Sequence, residues 1–254
     1  MSQLDFAFDK TLQRRAWGII DQYFFRLGLK LERGHDFDLI DNLAEQNGLP
    51  KLEGHFSPAL NTYTPSQAFW LALFDQDGLL VGRVCARLDV IDFGSSLTEF
   101  WRRYFSRCYP NAEGGQVRLC VDQPRAGRRI AGKVSYLGGC VVHPTWRKRK
   151  LGGLLTQMAQ IDAFDTWEAG YYYGWVEGYN FMDGFWRDCG FTKAAFHAIR
   201  WEPPLPDTLD ANLIFVGSSA DDIADLIELT VRRNAVQLSD RKAAQTLHLS
   251  ETTG

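Results

Sequence analysis

The sequence predicts an α/β (α+β) protein, in which helical and extended segments alternate along the chain. Apolar residues between Thr11 and Leu27 recur at intervals of three and four, the pattern of an amphipathic helix. Residues 68–88 contain two apolar stretches joined by an Asp-Gln-Asp-Gly turn, the pattern of a β-hairpin. Farther along, an apolar strand at 134–143 leads through a basic loop into a helix at 151–164. The chain therefore combines a sheet with helices that can cover it.

The remaining elements are shorter, and turn residues or changes of periodicity mark their ends. The sequence predicts further helices at 36–46, 97–105, 181–188 and 221–234, and further strands at 117–121, 171–177, 213–216 and through Trp201. The expected organisation is a helical N-terminal part at 1–66, a core at 67–202 with an insertion at 91–132, and a C-terminal strand, helix and mobile tail at 203–254.

Composition and charge exclude several classes of protein. The 254 residues carry 28 Lys and Arg against 31 Asp and Glu, and the resulting net charge of −3 disfavours DNA binding through overall basicity. No apolar run approaches the roughly 20 residues that cross a bilayer, and no signal-peptide pattern is visible, so we expect a cytoplasmic protein outside membranes. The five cysteines and five histidines lack metal-binding or disulfide spacing, so we expect reduced thiols and no metal.

One part of the chain departs from this even balance of charge. Between Gln123 and Ile161 there is no Asp or Glu. The positive charges in this stretch are Arg125, Arg128, Arg129, Lys133, Arg147, Lys148, Arg149 and Lys150. The first turn of a helix exposes unpaired N–H groups, and Gly152 and Gly153 allow close approach, so the position favours a phosphorylated ligand over a solvated basic face. The Gly-rich strings of a P-loop and of a dinucleotide-binding turn are both absent.

Two strings in this half of the chain form a recognisable pair. The first reads Val141-Val142-His143-Pro144-x-Trp146-Arg147-x-Arg149-Lys150-Leu151-Gly152-Gly153-Leu154-Leu155, and the second reads Phe185-Trp186-Arg187-Asp188-Cys189-Gly190-Phe191. The first resembles the acyl-CoA loop of the GNAT acyltransferase superfamily, typically V-x-P-x-[YW]-[RQ]-x-x-G-x-[GA]-x-x-L-L. The second is similar to the F-Y-x-x-x-G-F end of that superfamily's last helix. The resemblance covers roughly residues 68–201.

The resemblance implies a GNAT-like mixed, mostly antiparallel central sheet flanked by helices, with acetyl-CoA or another acyl-CoA as co-substrate. It further implies that the strands at 134–143 and 171–177 splay apart to form a cleft. The implied cofactor contacts are Cys140, Val141 and Val142 for the pantetheine arm, and Arg147, Arg149, Lys150, Leu151, Gly152 and Gly153 for the pyrophosphate.

Two residues depart from the superfamily pattern. Lys150 stands at the first loop glycine, so the backbone there carries a β-carbon. Trp186, which the resemblance also places in the cofactor site, stands where many members have a tyrosine that protonates the departing thiolate. An indole N–H is not a useful acid at neutral pH, so the departures put a protein-supplied acid in question but leave acyl transfer open.

Three residues near the implied cleft are candidates for proton transfer. Glu177, at the end of a predicted strand, is the best candidate for a general base, and its alternative role is a solvated strand end. His143 closes the neighbouring strand and is the next candidate, although it can instead cap the loop. Tyr179 is a candidate hydrogen-bond donor. Cys140 as a covalent nucleophile is disfavoured, because direct attack by an amine needs no such step.

These observations predict an acyl-CoA-dependent acyltransferase, an N-acetyltransferase that moves an acetyl group from acetyl-CoA to an amine by direct attack in a ternary complex. A small-molecule or peptide amine is the expected acceptor, and neither DNA nor a membrane is an expected partner. Two alternatives stay open: a non-catalytic acyl-CoA-binding or sensing module, and an acetyltransferase directed at RNA such as aminoacyl-tRNA. The segments outside the core can shape an acceptor pocket or a subunit interface, so a homodimer also stays open.

Overall fold

The computed structural model describes residues 9–52, 54–109, 115–205 and 213–251. Within these ranges the helices are α1 (Lys10–Arg26), α2 (Phe37–Gln46), α3 (Leu97–Cys108), α4 (Leu151–Trp167), α5 (Gly178–Met182), α6 (Phe185–Asp188) and α7 (Ala220–Glu251). The strands are β1 (Lys30–Gly34), β2 (Ala68–Phe74), β3 (Leu80–Ile91), β4 (Arg118–Leu119), β5 (Gly132–Val142), β6 (Tyr171–Val176), β7 (Lys193–Ala195), β8 (Trp201–Glu202) and β9 (Ile214–Ser219). None of these helices has the combined length and apolar composition that crossing a bilayer requires.

A seven-stranded sheet in the order β1-β2-β3-β5-β6-β9-β7 organises the described part of the chain. Neighbouring strands are antiparallel except β5 and β6, which run parallel. Strands β4 and β8 form a separate two-stranded ladder. This mixed α/β arrangement, with a mostly antiparallel central sheet flanked by helices, confirms the predicted fold class.

The two faces of the sheet are covered by different helices. On one face, which we call the α4 face, Ile20 of α1, Leu155 of α4 and Ile227 of α7 join one apolar cluster. On the other, the α2 face, Ile40 of α2 and Trp101 of α3 join a second cluster rich in aromatic rings. Because helices cover both faces, the central strand β3 is almost entirely buried, which explains its continuous apolar sequence.

The strongly periodic elements lie where the sequence predicts them. The helix predicted from Thr11 begins at Lys10, because the Asp9 carboxylate accepts a hydrogen bond from the Thr11 amide at 2.8 Å and caps it. The predicted hairpin is β2 and β3, and its turn is stabilised by the Asp75 carboxylate, which accepts hydrogen bonds from two backbone amides. The predicted strand and helix on either side of the basic loop are β5 and α4.

Three weaker elements differ from the sequence prediction. Strand β1, an edge strand with exposed Lys30, was not predicted, because its alternation is short and mostly polar. The helix predicted at 181–188 is two short helices, since Gly184 between them adopts a left-handed φ of +78°. The strand predicted through Trp201 is reduced to the short β7 and β8.

The C-terminal segment contributes a strand to the central sheet. Strand β9 lies between β6 and β7, although β7 precedes it in the sequence, and it pairs with β6 along the whole length of that strand. Helix α7 then packs against α1. The helix predicted at 221–234 continues to Glu251, and residues 252–254 of the predicted tail lie outside the described residues.

A capping box starts α7, and its carboxylate gives a testable pH dependence. The Asp222 carboxylate accepts hydrogen bonds from the Ser219 amide at 2.7 Å and the Ser219 hydroxyl at 2.6 Å. Burial opposes ionisation, but these bonds and one from Lys193 lower the pKa of Asp222 to about 2. Because the folded pKa lies below the unfolded value of 3.8, the stabilisation is complete at higher pH and is lost as the pH falls toward 2.

We therefore expect Asp222→Asn to lower the free energy of unfolding by about 1 kcal/mol at pH 7. The deficit should shrink to roughly half near pH 3, because the carboxylate of the unfolded chain is then mostly protonated. Urea denaturation at pH 7 and pH 3 measures the difference in the free energy of unfolding between the wild type and the variant. Asp221→Asn, at an exposed neighbouring position, is the control and should change little. A deficit that stays constant across this range would contradict the explanation.

Candidate active site

A cleft opens in the sheet where β5 and β6 part. Their parallel pairing ends at Tyr136 and Tyr173. The Leu137 carbonyl oxygen lies 2.9 Å from the position that a Cβ on Gly174 would occupy. Glycine therefore permits this close contact between β5 and β6 just before the strands separate. Beyond this point the pairing of β5 with β3 is irregular around Gly139, whose φ is +61°. This bulge bends β5 and leaves its β6-facing edge without a partner strand in the described part of the chain.

Two adjoining cavities occupy the cleft. The inner cavity, of about 480 Å³, lies between residues 137–141 of β5 and residues 174–177 at the end of β6. The loop cavity, of about 630 Å³, lies between residues 140–142 and the start of α4 at 150–153. The residues that line both cavities are Cys140, Val141, Tyr179, Asn180 and Phe185. The two cavities therefore form one cleft that leads from the basic loop into the sheet.

Residues from both faces of the sheet line the inner cavity. On the α4 face it is lined by Thr156 of α4 and by Cys189. On the α2 face it is lined by Pro50 and Lys51, which follow α2, and by Arg83 of β3. The Arg83 side chain belongs to the α2 face, because its Nη2 donates a hydrogen bond to the Pro50 carbonyl at 2.7 Å. A ligand can thus approach the divergence point from either face.

The basic loop ends in an uncapped helix. Lys148 and Lys150 both have left-handed backbones, with φ of 65° and 58°. Lys150 is the N-cap residue of α4, and no side chain caps the helix there. The N–H groups of the first turn of α4 therefore remain available to an anion in the loop cavity, and the positive end of the helix dipole favours one.

Positive side chains surround this helix end. Arg147, Lys148 and Lys150 line the loop cavity and are exposed. The Arg149 guanidinium instead lies over the Trp146 ring, 4.6 Å from its centroid, and Arg149 is not among the described residues that line the loop cavity. Arg147 and Lys148 are thus positioned to contact a phosphorylated ligand. The Lys150 ammonium group lies 3.8 Å from the Asp188 carboxylate, which also lines the loop cavity, and Arg149 stabilises the loop.

The two glycines of the first turn allow α4 to pack closely against its neighbours. A Cβ on Gly152 would lie 3.2 Å from Phe185 and 3.4 Å from Val142. A Cβ on Gly153 would lie only 2.7 Å from the Asp188 carbonyl oxygen. Gly153 is therefore required for packing of α4 on α6, whereas Gly152 keeps the floor of the loop cavity open.

The left-handed backbone at Lys150 is a point of local strain. A residue with a β-carbon is less stable than glycine in this conformation, so we expect Lys150→Gly to raise the free energy of unfolding by about 1 kcal/mol. Lys150→Ala is the matched control, because it removes the same charge and keeps the β-carbon. Urea denaturation compares the variants, and equal stability of the glycine and alanine variants would show that the backbone is not strained.

Glu177 and Tyr179 lie together at the start of α5. Both are exposed, and both line the inner cavity. A hydrogen bond to the Glu177 carboxylate raises the pKa of Tyr179, so the phenol stays protonated at neutral pH and acts as a donor to Glu177. The two residues named from the sequence are therefore brought together at the β6 wall of the cleft, with Asn180 beside them.

His143 and Trp186 lie outside the linings of the two cavities as described. The His143 Nδ1 is 2.7 Å from the Thr145 hydroxyl and also accepts a hydrogen bond from the Thr145 amide, so the imidazole caps the short turn that begins at Pro144. The Trp186 ring stacks on Phe181, with centroids 5.2 Å apart. The structure thus brings neither side chain to the cleft, and their predicted site roles remain predictions.

Cys140 lies at the junction of the two cavities. Burial raises the pKa of the Cys140 thiol, and a hydrogen bond from the Thr156 hydroxyl only partly offsets this effect. The thiol is therefore protonated at neutral pH, which makes it a poor nucleophile. This geometry favours a lining role for Cys140 over a covalent one.

The sequence analysis missed several residues of the cleft. Pro50 and Lys51 belong to a loop that carries no motif, and Asn180 lies between the two recognisable strings. Arg83 did leave a signal, because it is a charged residue inside the otherwise apolar stretch at 80–86. A charge within a strand that is buried on both faces predicts a partner or a ligand.

No protein-family model and no curated protein matches the chain. In fold, the structure is similar to solved acetyltransferases of the GNAT family. One is an acetyltransferase of the GNAT family from Streptococcus pneumoniae, with 12% identity, covering 75% of this chain and 99% of that chain, at a TM-score of 0.42.

Two further structures show a likeness of the same kind. Arabidopsis thaliana NAA60 in complex with acetyl-CoA has 11% identity and covers 76% of this chain and 99% of that chain, at a TM-score of 0.43. Mutant forms of the spermidine/spermine N-acetyltransferase SpeG from Vibrio cholerae have 13% identity and cover 78% of this chain and 97% of that chain, at a TM-score of 0.43. These similarities concern the fold.

Proposed function

We propose that this protein is an acyl-CoA-dependent N-acetyltransferase, which moves an acetyl group from acetyl-CoA to an amine by direct attack in a ternary complex. The observation that carries the proposal is the continuity of the cleft. In the described part of the chain, the edge of β5 that faces β6 has no partner strand beyond Tyr136, and the basic loop connects it to an uncapped helix end with cations around it. Acetyl-CoA fits this cleft, because its pyrophosphate matches the loop cavity and its thioester, at the other end of the amide-containing pantetheine arm, matches the inner cavity.

The helix end would hold the pyrophosphate. N–H groups of the first turn of α4 would donate hydrogen bonds to the phosphate oxygens, and Arg147, Lys148 and Lys150 would supply charge. The pantetheine arm carries amide groups, which can pair with the free edge of β5 at 140–142 as an added strand does. This arrangement directs the thioester into the inner cavity at the point where β5 and β6 diverge.

Removal of a proton from the amine is the harder part of the reaction. An alkylamine with a pKa of about 10.4 is unprotonated in roughly 1 part in 2,500 at pH 7, which corresponds to about 4–5 kcal/mol. The Glu177 carboxylate would accept this proton, directly or through a water, while Tyr179 donates a hydrogen bond to it.

The remaining steps need little from the protein. The amine nitrogen forms the bond to the thioester carbon, the carbon–sulfur bond breaks, and the sulfur leaves as a thiolate. The nitrogen then loses its second proton, which the thiolate accepts to give free coenzyme A. A thiol with a pKa of about 8.5 is a good leaving group at neutral pH, so a protein acid at the Trp186 position is not required. A backbone N–H of β5 near Val141 would stabilise the developing oxyanion.

Titration calorimetry with coenzyme A, followed by assays of acetyl-CoA with a panel of amines, tests the proposal. We expect binding of CoA, and release of free thiol that depends on both the protein and the amine. Binding without transfer to any amine would favour a non-catalytic acyl-CoA-binding module. Absence of binding would overturn the proposal.

A further inference from the structure

A buried arginine on the α2 face of the cleft has no counter-ion among the residues that the structure describes. Arg83 is 2% exposed, and its Nε and Nη1 have no hydrogen-bond partner. Its Nη2 donates to the Pro50 carbonyl. Burial lowers the pKa of Arg83, because no carboxylate forms an ion pair with it in the described part of the chain. A guanidinium nevertheless remains a cation in proteins, so an uncompensated positive charge lies within the sheet.

Among the described residues, the carboxylate that acts on Arg83 does not form an ion pair with it. Asp41 of α2 is buried and acts on Arg83 electrostatically, but its carboxylate accepts a hydrogen bond from the Leu52 amide and forms no ion pair with Arg83. A second buried arginine on the same strand shows the usual solution. Arg87 donates two hydrogen bonds to the Asp89 carboxylate, at 2.8 and 3.1 Å. An unpaired buried charge destabilises the folded protein, so we expect Arg83 to have a function that accounts for its presence.

Arg83 lines the inner cavity, and it does so on the face opposite to the start of α4. If acetyl-CoA enters along the loop cavity, the acceptor must reach the thioester through the rest of the inner cavity, where Arg83 and Glu177 are both lining residues. A cavity of about 480 Å³ has the size of a small-molecule site. Lys51 also lines this cavity, but its ammonium group forms an ion pair with Glu45 at 2.9 Å. The remaining charge of Arg83 balances one carboxylate, whereas a phosphate dianion would leave an excess negative charge.

We propose that the acceptor is a small amine that carries a carboxylate, an amino acid or a close analogue, and that Arg83 binds this carboxylate. The inference rests on the proposed function and narrows its substrate class. The Arg83 Nε and Nη1 are enclosed by protein, so the guanidinium would turn toward the cavity to donate to the carboxylate through them, and the amine would lie toward Glu177. Arg83 is then a specificity-determining residue, which holds the acceptor in place and takes no proton.

The first test needs no variant. Initial rates with acetyl-CoA are measured for amino acids and for the corresponding amino acid amides. We expect kcat/KM to be about 100-fold higher for the acids, because the amide keeps one acceptor oxygen but lacks the negative charge that would compensate the buried guanidinium. The amine of an amide is less basic and so less protonated, so amine reactivity alone would give the opposite order. Equal rates for acids and amides would overturn the proposal.

The second test is Arg83→Met, which removes the charge and keeps an unbranched apolar side chain. Replacement of an unpaired buried charge by an apolar residue is expected to leave the protein folded. We expect the preference for acids to fall to within about threefold of unity, while CoA affinity stays the same, because Arg83 is outside the loop cavity. Arg102→Met, an equal change of charge on the exposed side of α3, should keep the full preference. A preference retained in Arg83→Met would overturn the proposal.

Further measurements separate this inference from the proposed function. If Arg83→Met fails to fold, Arg83→Lys keeps the charge without the planar fork, and an unchanged preference in that variant would count against binding by the guanidinium.

The melting temperature of the wild type gives a readout without CoA. N-acetyl amino acids should raise it, and N-acetyl amino acid amides should not. This readout can succeed even if CoA does not bind. A preference for succinyl-CoA with neutral amines, or for phosphoethanolamine over amino acids, would overturn the assignment.

Discussion

Replacement of Glu177 by glutamine is expected to lower kcat at pH 7 by about 100- to 1,000-fold, because the variant must wait for the small fraction of amine that is already unprotonated. The deficit should shrink by about tenfold for each unit of pH toward the pKa of the amine, since hydroxide then replaces the missing base. Steady-state rates with saturating acetyl-CoA between pH 7 and 9.5 measure this dependence.

Two further variants define what a positive result means. Glu168→Gln, at the exposed C-terminal end of α4, makes the same chemical change away from the cleft and should have no effect. Tyr179→Phe removes the donor to Glu177 and should lower kcat by no more than about tenfold. If Glu177→Gln retains wild-type rates at pH 7, Glu177 is not the base, and the proton leaves by another route.

Replacement of Gly152 by valine is expected to weaken CoA binding by at least about 100-fold. A Cβ at this position already lies within 3.2–3.5 Å of Phe185, Val142 and Cys140, so the γ-carbons have to extend into the loop cavity. They would block the approach of the pyrophosphate to the first turn of α4. Titration calorimetry with CoA measures the loss.

The control for this prediction is Gly18→Val in α1. It makes the same change within a helix, but the added Cβ meets no atom within 4 Å. Both variants replace a helical glycine by the same β-branched residue, so circular dichroism and thermal denaturation of the pair show whether Gly152→Val acts on folding or on binding. Wild-type affinity in a folded Gly152→Val protein would show that the pyrophosphate does not bind at this helix end.

The regular elements were predictable because their signals are local. The stripe of α1, the turn at Asp75 and the apolar stretch of β3 each depend on residues close in sequence. Strand β1 escaped prediction because five mostly polar residues do not form a pattern. The two halves of the helix at 181–188 were read as one, since the effect of Gly184 depends on its left-handed conformation.

The candidate site was predictable in part. The loop string located the uncapped end of α4, and Glu177 and Tyr179 were placed near the cleft from their position after β6. The inner cavity was not predictable, because it depends on where β5 and β6 cease to pair and on Pro50, which is 33 residues from Arg83 in the sequence. Tertiary contacts decide whether a buried charge has an ion-pair partner. The sequence therefore showed a charged residue at position 83 but not that Arg83 lacks such a partner among the described residues.

The position of β9 has a consequence for synthesis of the protein. During translation, every residue through β7 leaves the ribosome before β9 does, so the nascent chain has β6 with its outer edge bare. Strand β6 is one wall of the cleft, and its pairing with β9 can be completed only when residues through Ser219 have left the ribosome. The cleft is therefore completed late, and until then the bare edge is a surface on which chaperones or other unfinished chains can pair.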